Sequence, residues 1–306
     1  MLKNFLIVLV CLFSILGVAS VSAHESWAIP ESSWVNVNDT AYFFVGSSHL
    51  FGTSEEVPAG YITLDLMHQD GSADKQVSDD VNKTQDCKTM GYYKVFEFPI
   101  NKPGLNVLDL YHTEGIWTHV VTNPPDIEGG EWINKPIEEI NFDTMNKTGW
   151  ADNWYIERSY PKYVYSKTFV AGPDADFSGA NKAYGQEWEI VPLSNITTAG
   201  TGPFEVQVLY KNKPFEGAAV KAAKAAKAGT PESEIAINET SNAEGKVSLN
   251  LDSPGKWVIK SDTGTDSRIT TLKDEPRGAK STEKSIVGPV YRYALVLSDD
   301  YFKPSE

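Results

Sequence analysis

Apolar and polar side chains alternate along the chain in short runs separated by turn residues. Tyr61-Ile62-Thr63-Leu64-Asp65-Leu66 puts Ile62, Leu64 and Leu66 on one face of a predicted strand. Trp34-Val35-Asn36-Val37, leading into Ala41-Tyr42-Phe43-Phe44-Val45, carries the same signal in β-branched and aromatic residues. Residues 70–90 are polar, hold Gly71, Ser72 and Asp79-Asp80, and read as a hairpin tip or loop. Two further runs, Tyr93 to Phe98 and Leu105 to Leu110, flank Pro103-Gly104. Proline fixes φ at the first central position of a type II turn, and glycine accepts positive φ at the second. The same strand–Pro-Gly–strand unit returns at Lys246–Leu251, Pro254-Gly255 and Lys256–Lys260. The pattern predicts a mainly β chain built as two β-sandwich domains.

The segment between them differs. Pro136 suits a first helical position, Glu138-Glu139 suit a helix N-terminus, and Gly149 can end the element, so a short helix is expected there. Residues 123–165 are also rich in aromatics, among them Trp132, Trp150, Trp154, Tyr155, Tyr160, Tyr163 and Tyr165. Such rings can stack on a sugar, or serve as core and interface packing. From Tyr184 the chain returns to β signals: Gln186–Leu193, Pro203–Tyr210, an expected tight turn at Asn212-Lys213, and a closing strand over Tyr291–Leu297. Ala218 to Ala228 reads as a strand in its first half and as a loop or short helical insertion after it. The domains are therefore expected over residues 24–185, including the helical, aromatic-rich segment, and 186–300, with a tail over 301–306.

The first 23 residues change the picture. Lys3, the apolar run Phe5 to Val18 and the small residues Ala19, Ser20, Ser22 and Ala23 read as a secretory leader cut after Ala23. Later apolar runs are too short to span a membrane, so the processed chain is expected to be soluble and periplasmic or extracellular. The formal net charge is −14, and the leader removes only the positive Lys3. That sign disfavours nucleic acid and anionic membranes as partners, and it draws cations toward the surface. Of the two cysteines, Cys11 lies in the leader, so Cys87 has no internal disulfide partner after export.

The chemistry then rests on histidine. All five, His24, His49, His68, His112 and His119, lie in the first expected domain. Cleavage after Ala23 makes His24 the first residue, with an α-amine and an imidazole that can chelate one ion. An α-amine has a pKa of ~7.7–8.0, so freeing it near neutrality costs about 1 kcal/mol, which metal binding can supply. Further imidazoles from His49, His119 and His112 would suit Cu(II) or Ni(II), which accept nitrogen-rich tetragonal shells. His112 and His119 flank Glu114-Gly115, read as a turn between adjacent strands. A hydrogen-bonded structural role is the ordinary alternative for each of these imidazoles except His24. The chain has no Gly-x-Ser-x-Gly elbow, Walker loop, dinucleotide fingerprint or HExxH, so it reads as a binding protein rather than an enzyme.

Several segments resemble an exported family grouped with nickel/cobalt uptake, the nickel-uptake accessory proteins. They are Ala23-His24-x-x-Trp27-x-x-Pro30, Gly46 to Gly52, Glu157 to Tyr163, Tyr184-Gly185-Gln186-Glu187-Trp188-Glu189-Ile190-Val191-Pro192-Leu193, Lys213 to Ala218, Asn242 to Val247 and Tyr291-Arg292-Tyr293. The resemblance implies an immunoglobulin-like or prealbumin-like C-terminal domain and a role in transition-metal uptake beside a membrane metal transporter. Two other readings stand beside it. One is an exported β-sandwich that binds a glycan or another ligand, or acts as an adhesin, without metal. The other is a copper-binding histidine-brace protein.

Overall fold

The computed structural model describes residues 25–48, 57, 60–78, 88–90, 93–122, 131–136, 139, 154–224, 237–264, 266, 268–269, 271–273 and 285–302. Among them the chain is mainly β, with short 3-10 turns at Phe177–Asn181 and Ile196–Thr198. The expected helix after Pro136 lies largely outside the described residues, as do Cys87 and Trp150.

Three sheets carry the described strands. A small sheet orders β1 (Glu25–Pro30), β2 (Thr40–Ser48), β6 (Tyr93–Pro99) and β5 (Lys88–Met90). A second groups β10 (Trp188–Pro192), β11 (Gly202–Tyr210), β12 (Lys213–Pro214) and β15 (Lys246–Leu251). The central sheet runs through β14 (Ile237–Thr240), β13 (Ala219–Lys224), β16 (Trp257–Asp262) and β19 (Val290–Leu297). It continues through β9 (Trp154–Val170), β7 (Asn106–Thr122), β3 (Tyr61–Met67) and β4 (Ala73–Ser78). Short strands β8 (Glu131–Ile133), β17 (Thr271–Lys273) and β18 (Ser285–Val287) attach at its side. Strands from both sides of residue 185 thus pair in one sheet, where β9 runs parallel to β19 and antiparallel to β7.

The alternation read from the sequence sets the layers. Phe43, Val45, Phe96 and Phe98 of the small sheet pack on Ile62, Leu64, Leu108 and Leu110 of the central one. On the central sheet's other face, Phe204, Val206, Val208 and Leu249 meet Tyr165, Phe169, Ile259, Tyr293 and Leu295. β15 is one-sided, alternating exposed and buried positions, whereas every residue of β19 is buried. A strand covered on both faces reads as a continuous apolar run, and Tyr293-Ala294-Leu295-Val296-Leu297 is one. β1, at the edge of the small sheet, lies against the central sheet, with Trp27 buried among Ala223, Val258, Ala294 and Val296.

Three local expectations change. Residues 70–90 are not wholly loop: β4 and β5 both fall there, and β4 pairs with β3 from Ile62↔Ser78 to Met67↔Ala73. The tight turn precedes the expected position by one residue, at Lys211 (φ 51) and Asn212 (φ 62), with Tyr210 opposite Lys213. Two successive positive φ values twist a two-residue hairpin correctly, and asparagine tolerates that conformation. Both Pro-Gly units are corners between sheets rather than hairpins: β6 and β7 lie in different sheets, and so do β15 and β16. Gly104 (φ 105) and Gly255 (φ 136) supply the positive φ at these corners.

Phe169 sits on β9 with 0% exposure, in the core between the central sheet and the sheet of β10 and β11. Phe169→Ala is expected to destabilise the protein by about 3–5 kcal/mol in chemical denaturation. A loss under about 1 kcal/mol would remove this residue from the core.

Candidate metal-binding site

The sequence-predicted ligands divide. His24 and His49 lie outside the described residues. His112 and His119 both belong to β7, so the expected turn between adjacent strands is corrected to a bulge within one strand. Thr113 pairs with Tyr163 and Ile116 with Pro161, which gives β7 one more residue than β9 over this interval. Gly115, at φ 84, takes the conformation that such a bulge favours. The extra residue resets the alternation. His112 opposes Val164 and His119 opposes Arg158, and these two partners share a face of β9. Six residues of strand still separate them, about 20 Å, so the two imidazoles cannot share one ion.

His119 lies beside Glu157, with Nδ1 2.7 Å from Oε2, and Arg158 Nε approaches the same oxygen at 3.1 Å. The hydrogen bond from His119, then the charge of Arg158, hold the Glu157 carboxyl below its ordinary range against the opposing effect of burial. His68 has Nδ1 2.7 Å from Asn106 Oδ1 and Nε2 3.0 Å from Asp74 Oδ2, so both ring nitrogens are engaged. Among the described residues, no three His, Cys, Asp or Glu side chains gather where they could hold a metal.

His112 is the more informative. It is fully buried, and its Nδ1 lies 3.0 Å from Ser26 Oγ on β1 and 4.0 Å from Glu114 Oε1. Glu114 and Lys162 are 1% and 2% exposed, and Lys162 Nζ donates to Glu114 Oε2 at 2.6 Å. The ammonium also lies 5.8 Å from the centre of the Trp117 ring. Glu114 Oε1 has no hydrogen-bond partner among the described residues. A buried carboxylate oxygen left unsatisfied is costly. Arg292 and Asp262 stand close enough to act on Tyr160, whose hydroxyl burial pushes up while Arg292 pulls it down. The site is thus a buried polar cluster beside the start of β1, with one carboxylate oxygen and one imidazole side by side.

A second buried cluster occupies the opposite face. Lys167 and Glu189, both 0% exposed, meet at 2.7 Å. Glu189 also accepts from the backbone N–H of Tyr184 and Gly185, at 2.7 and 3.1 Å. Gln186 donates to Asp109. Burial pushes the partly buried Asp109 up to about 7, against the charge of Lys167 and the hydrogen bond from Gln186. The stretch from Tyr184 to Leu193, singled out in the sequence, therefore supplies a buried network. The aromatic segment serves packing where its side chains are described. Tyr160 and Tyr165 are buried, and Tyr163 stacks on Tyr111 and Tyr291 with centroids 6.3 and 5.5 Å away.

Sequence reasoning missed Ser26, Glu114, Lys162, Asp109, Lys167 and Glu189 as a set. Charged residues at alternate strand positions read as a solvated face. The one available signal was that Lys162 and Lys167 flank the aromatic and β-branched run Tyr163-Val164-Tyr165 of β9.

The family described as a domain of unknown function (DUF4198) matches residues 21–264. No curated protein matches the chain. Among solved structures, native Escherichia coli alpha-2-macroglobulin is similar at 9% identity and TM-score 0.23, covering 88% of this chain and 14% of that one. The E. coli protein activated by porcine elastase gives 9% identity and TM-score 0.22, covering 92% and 31%. The Yersinia pseudotuberculosis adhesin InvE gives 6% identity and TM-score 0.19, covering 90% and 58%. The chain spans less than two thirds of each of these proteins, and likenesses this distant carry no argument about fold or function.

Removing one partner of a buried ion pair strands the other charge. Lys162→Met is expected to cost about 3–5 kcal/mol by denaturant unfolding. Adding Glu114→Gln in the same chain should recover most of that loss. A single variant as stable as the parent would place Glu114 in water.

Proposed function

We propose a metal-holding role for this chain, which belongs to the family described as a domain of unknown function (DUF4198). In this reading it is an exported protein that binds Ni(II) or Co(II) and presents it to a membrane transporter, with Cu(II) as the third candidate ion. The observation that carries the reading is Glu114 Oε1, a buried carboxylate oxygen without a hydrogen-bond partner among the described residues, 4.0 Å from His112 Nδ1. Two donors are too few for a transition ion, and the remaining donors are assigned to His24, freed by loss of the leader. β1 begins at Glu25, and the side chain of Ser26 already touches His112. In an extended strand, residues i and i+2 share a face about 7 Å apart. Extending β1 by one residue would bring residue 24 to the edge of the His112–Glu114 pair. Its amine and imidazole, with His112 and Glu114, make a nitrogen-rich shell suited to these ions. His49 and His119 are left out of this shell, His119 because of its distance along β7.

Lys162 sets the limit on affinity. It already neutralises Glu114 at 2.6 Å, so an incoming cation meets a like charge. Nitrogen donors, which carry no charge of their own, therefore have to provide most of the binding. Among the described residues no helix is long and apolar enough to cross a membrane. Periplasmic or extracellular residence rests on the leader.

Calorimetric titration with Ni(II) and Cu(II) tests the reading. Protein starting at His24 is compared with protein carrying one extra N-terminal residue, and with His112→Ala. Each change is expected to weaken binding at least about tenfold, the scale seen when a ligand or its support is lost. Equal affinity in all three forms would remove both histidines from the site.

A further inference from the structure

Lys182 to Glu187 has no regular structure, yet it is tied down at every second or third residue. Lys167 Nζ lies 3.3 Å from the carbonyl oxygen of Lys182 and 4.3 Å from the centre of the Tyr184 ring. The Glu189 carboxylate holds the Tyr184 and Gly185 amides. Gln186 Nε2 donates to Asp109 Oδ1, while Gln186 Oε1 has no hydrogen-bond partner among the described residues despite being buried. Lys182 and Tyr184 also line a cavity of about 250 Å³ together with His68, Leu105 and Asp176.

We propose that Asp109 and Gln186 form a proton-linked clamp on the Lys182–Glu187 segment, two of whose residues, Lys182 and Tyr184, reach the cavity. When Asp109 takes up a proton from water, its new O–H donates to Gln186 Oε1. The existing N–H···O bond and the new O–H···O bond then close a ring between carboxyl and amide. The ring satisfies the buried oxygen that the ionised form leaves unpaired.

The surroundings favour proton uptake. Asp109 faces Lys167 and Tyr165 on β9, Glu189 on β10, Asp65 on β3, Tyr293 on β19, and Tyr184 and Gln186 of the clamped segment. Lys167 is paired with Glu189 at 2.7 Å, so its charge only partly offsets the burial of Asp109. Burial dominates, and the carboxyl is pushed up to about 7. The native state then binds the proton more tightly than the unfolded chain, whose aspartates titrate near ~3.9. Stability should rise as pH falls through 7 toward that range, and the gain is absent above 7. The clamp lies on the opposite face of the central sheet from His112 and Glu114. Its failure would leave the metal reading untouched.

Asp109→Asn mimics the protonated form, because an amide pair closes the same two-bond ring. The test is hydrogen exchange of the Tyr184 and Gly185 amides together with thermal unfolding, both between pH 6 and pH 8, for the full processed protein and this variant. From pH 8 to pH 6 the parent should gain up to about tenfold in protection, after correction for intrinsic exchange, as one bound proton requires. Asp109→Asn should be flat and protected throughout, and Asp65→Asn should keep the parent profile. Carboxyl carbon NMR of the parent keeps the proposal testable should the variant not fold. One aspartate should titrate near 7, with the Gln186 side-chain amide shifting in step. A parent with flat exchange, or with no aspartate titrating above pH 5, would overturn the clamp.

Discussion

A sheet covered on both faces leaves its side chains no water, and that constraint governs this molecule. β9 and β7 carry the small sheet on one side and the β10–β11 sheet on the other. Any charge placed on these strands must find its counter-charge inside. Glu114 with Lys162 meets this demand on one face, and Glu189 with Lys167 meets it on the other. Such pairs contribute little net stability compared with apolar residues of the same size, because both ions are stripped of water. Their physical effect is on register. A slip of one residue turns every side chain to the opposite face, and here it would strand four charges at once. The long pairing of β7 with β9, from Asn106↔Val170 to Thr122↔Trp154, is held by that cost as well as by its apolar contacts.

The sequence made the strands legible and hid their grouping. Period-two alternation located β3, β6, β7 and β15, and apolar, aromatic or β-branched runs located β2 and β19, because each has one or both faces in a core. It could not say which strands share a sheet. The Pro-Gly units look the same in a hairpin and at a corner, and here both are corners. The pairing of β9 with β19 joins residues more than a hundred positions apart and leaves no local mark. Site residues were hidden for a related reason. Lys162 and Lys167 look like the solvated positions of an amphipathic strand until the second covering sheet is known. His112 was visible as a candidate, while its neighbour Glu114 was read as part of a turn. The bulge at Gly115 is what keeps Glu114 inside a strand and aims it at Lys162.

The same burial gives the two clusters different chemical characters. On the β1 side, Glu114 offers one oxygen to Lys162 and leaves the other beside an imidazole, close to the start of β1. On the β10 side, Glu189 is saturated by an ammonium and two backbone amides, so no open valence remains for a cation. Asp109, beside it, has the Gln186 amide as a partner and shares the Lys167 charge with Glu189. The two faces therefore differ in how many partners each buried carboxylate already has.

X-ray absorption of the Ni(II)-loaded, correctly processed protein tests the central claim most directly. The account predicts a first shell dominated by nitrogen, with the multiple-scattering signature of two imidazoles and one carboxylate oxygen, lost when Glu114 and Lys162 are replaced together by Gln and Met. A shell of oxygens only, unchanged in that double variant, would place the metal on the acidic surface and contradict it.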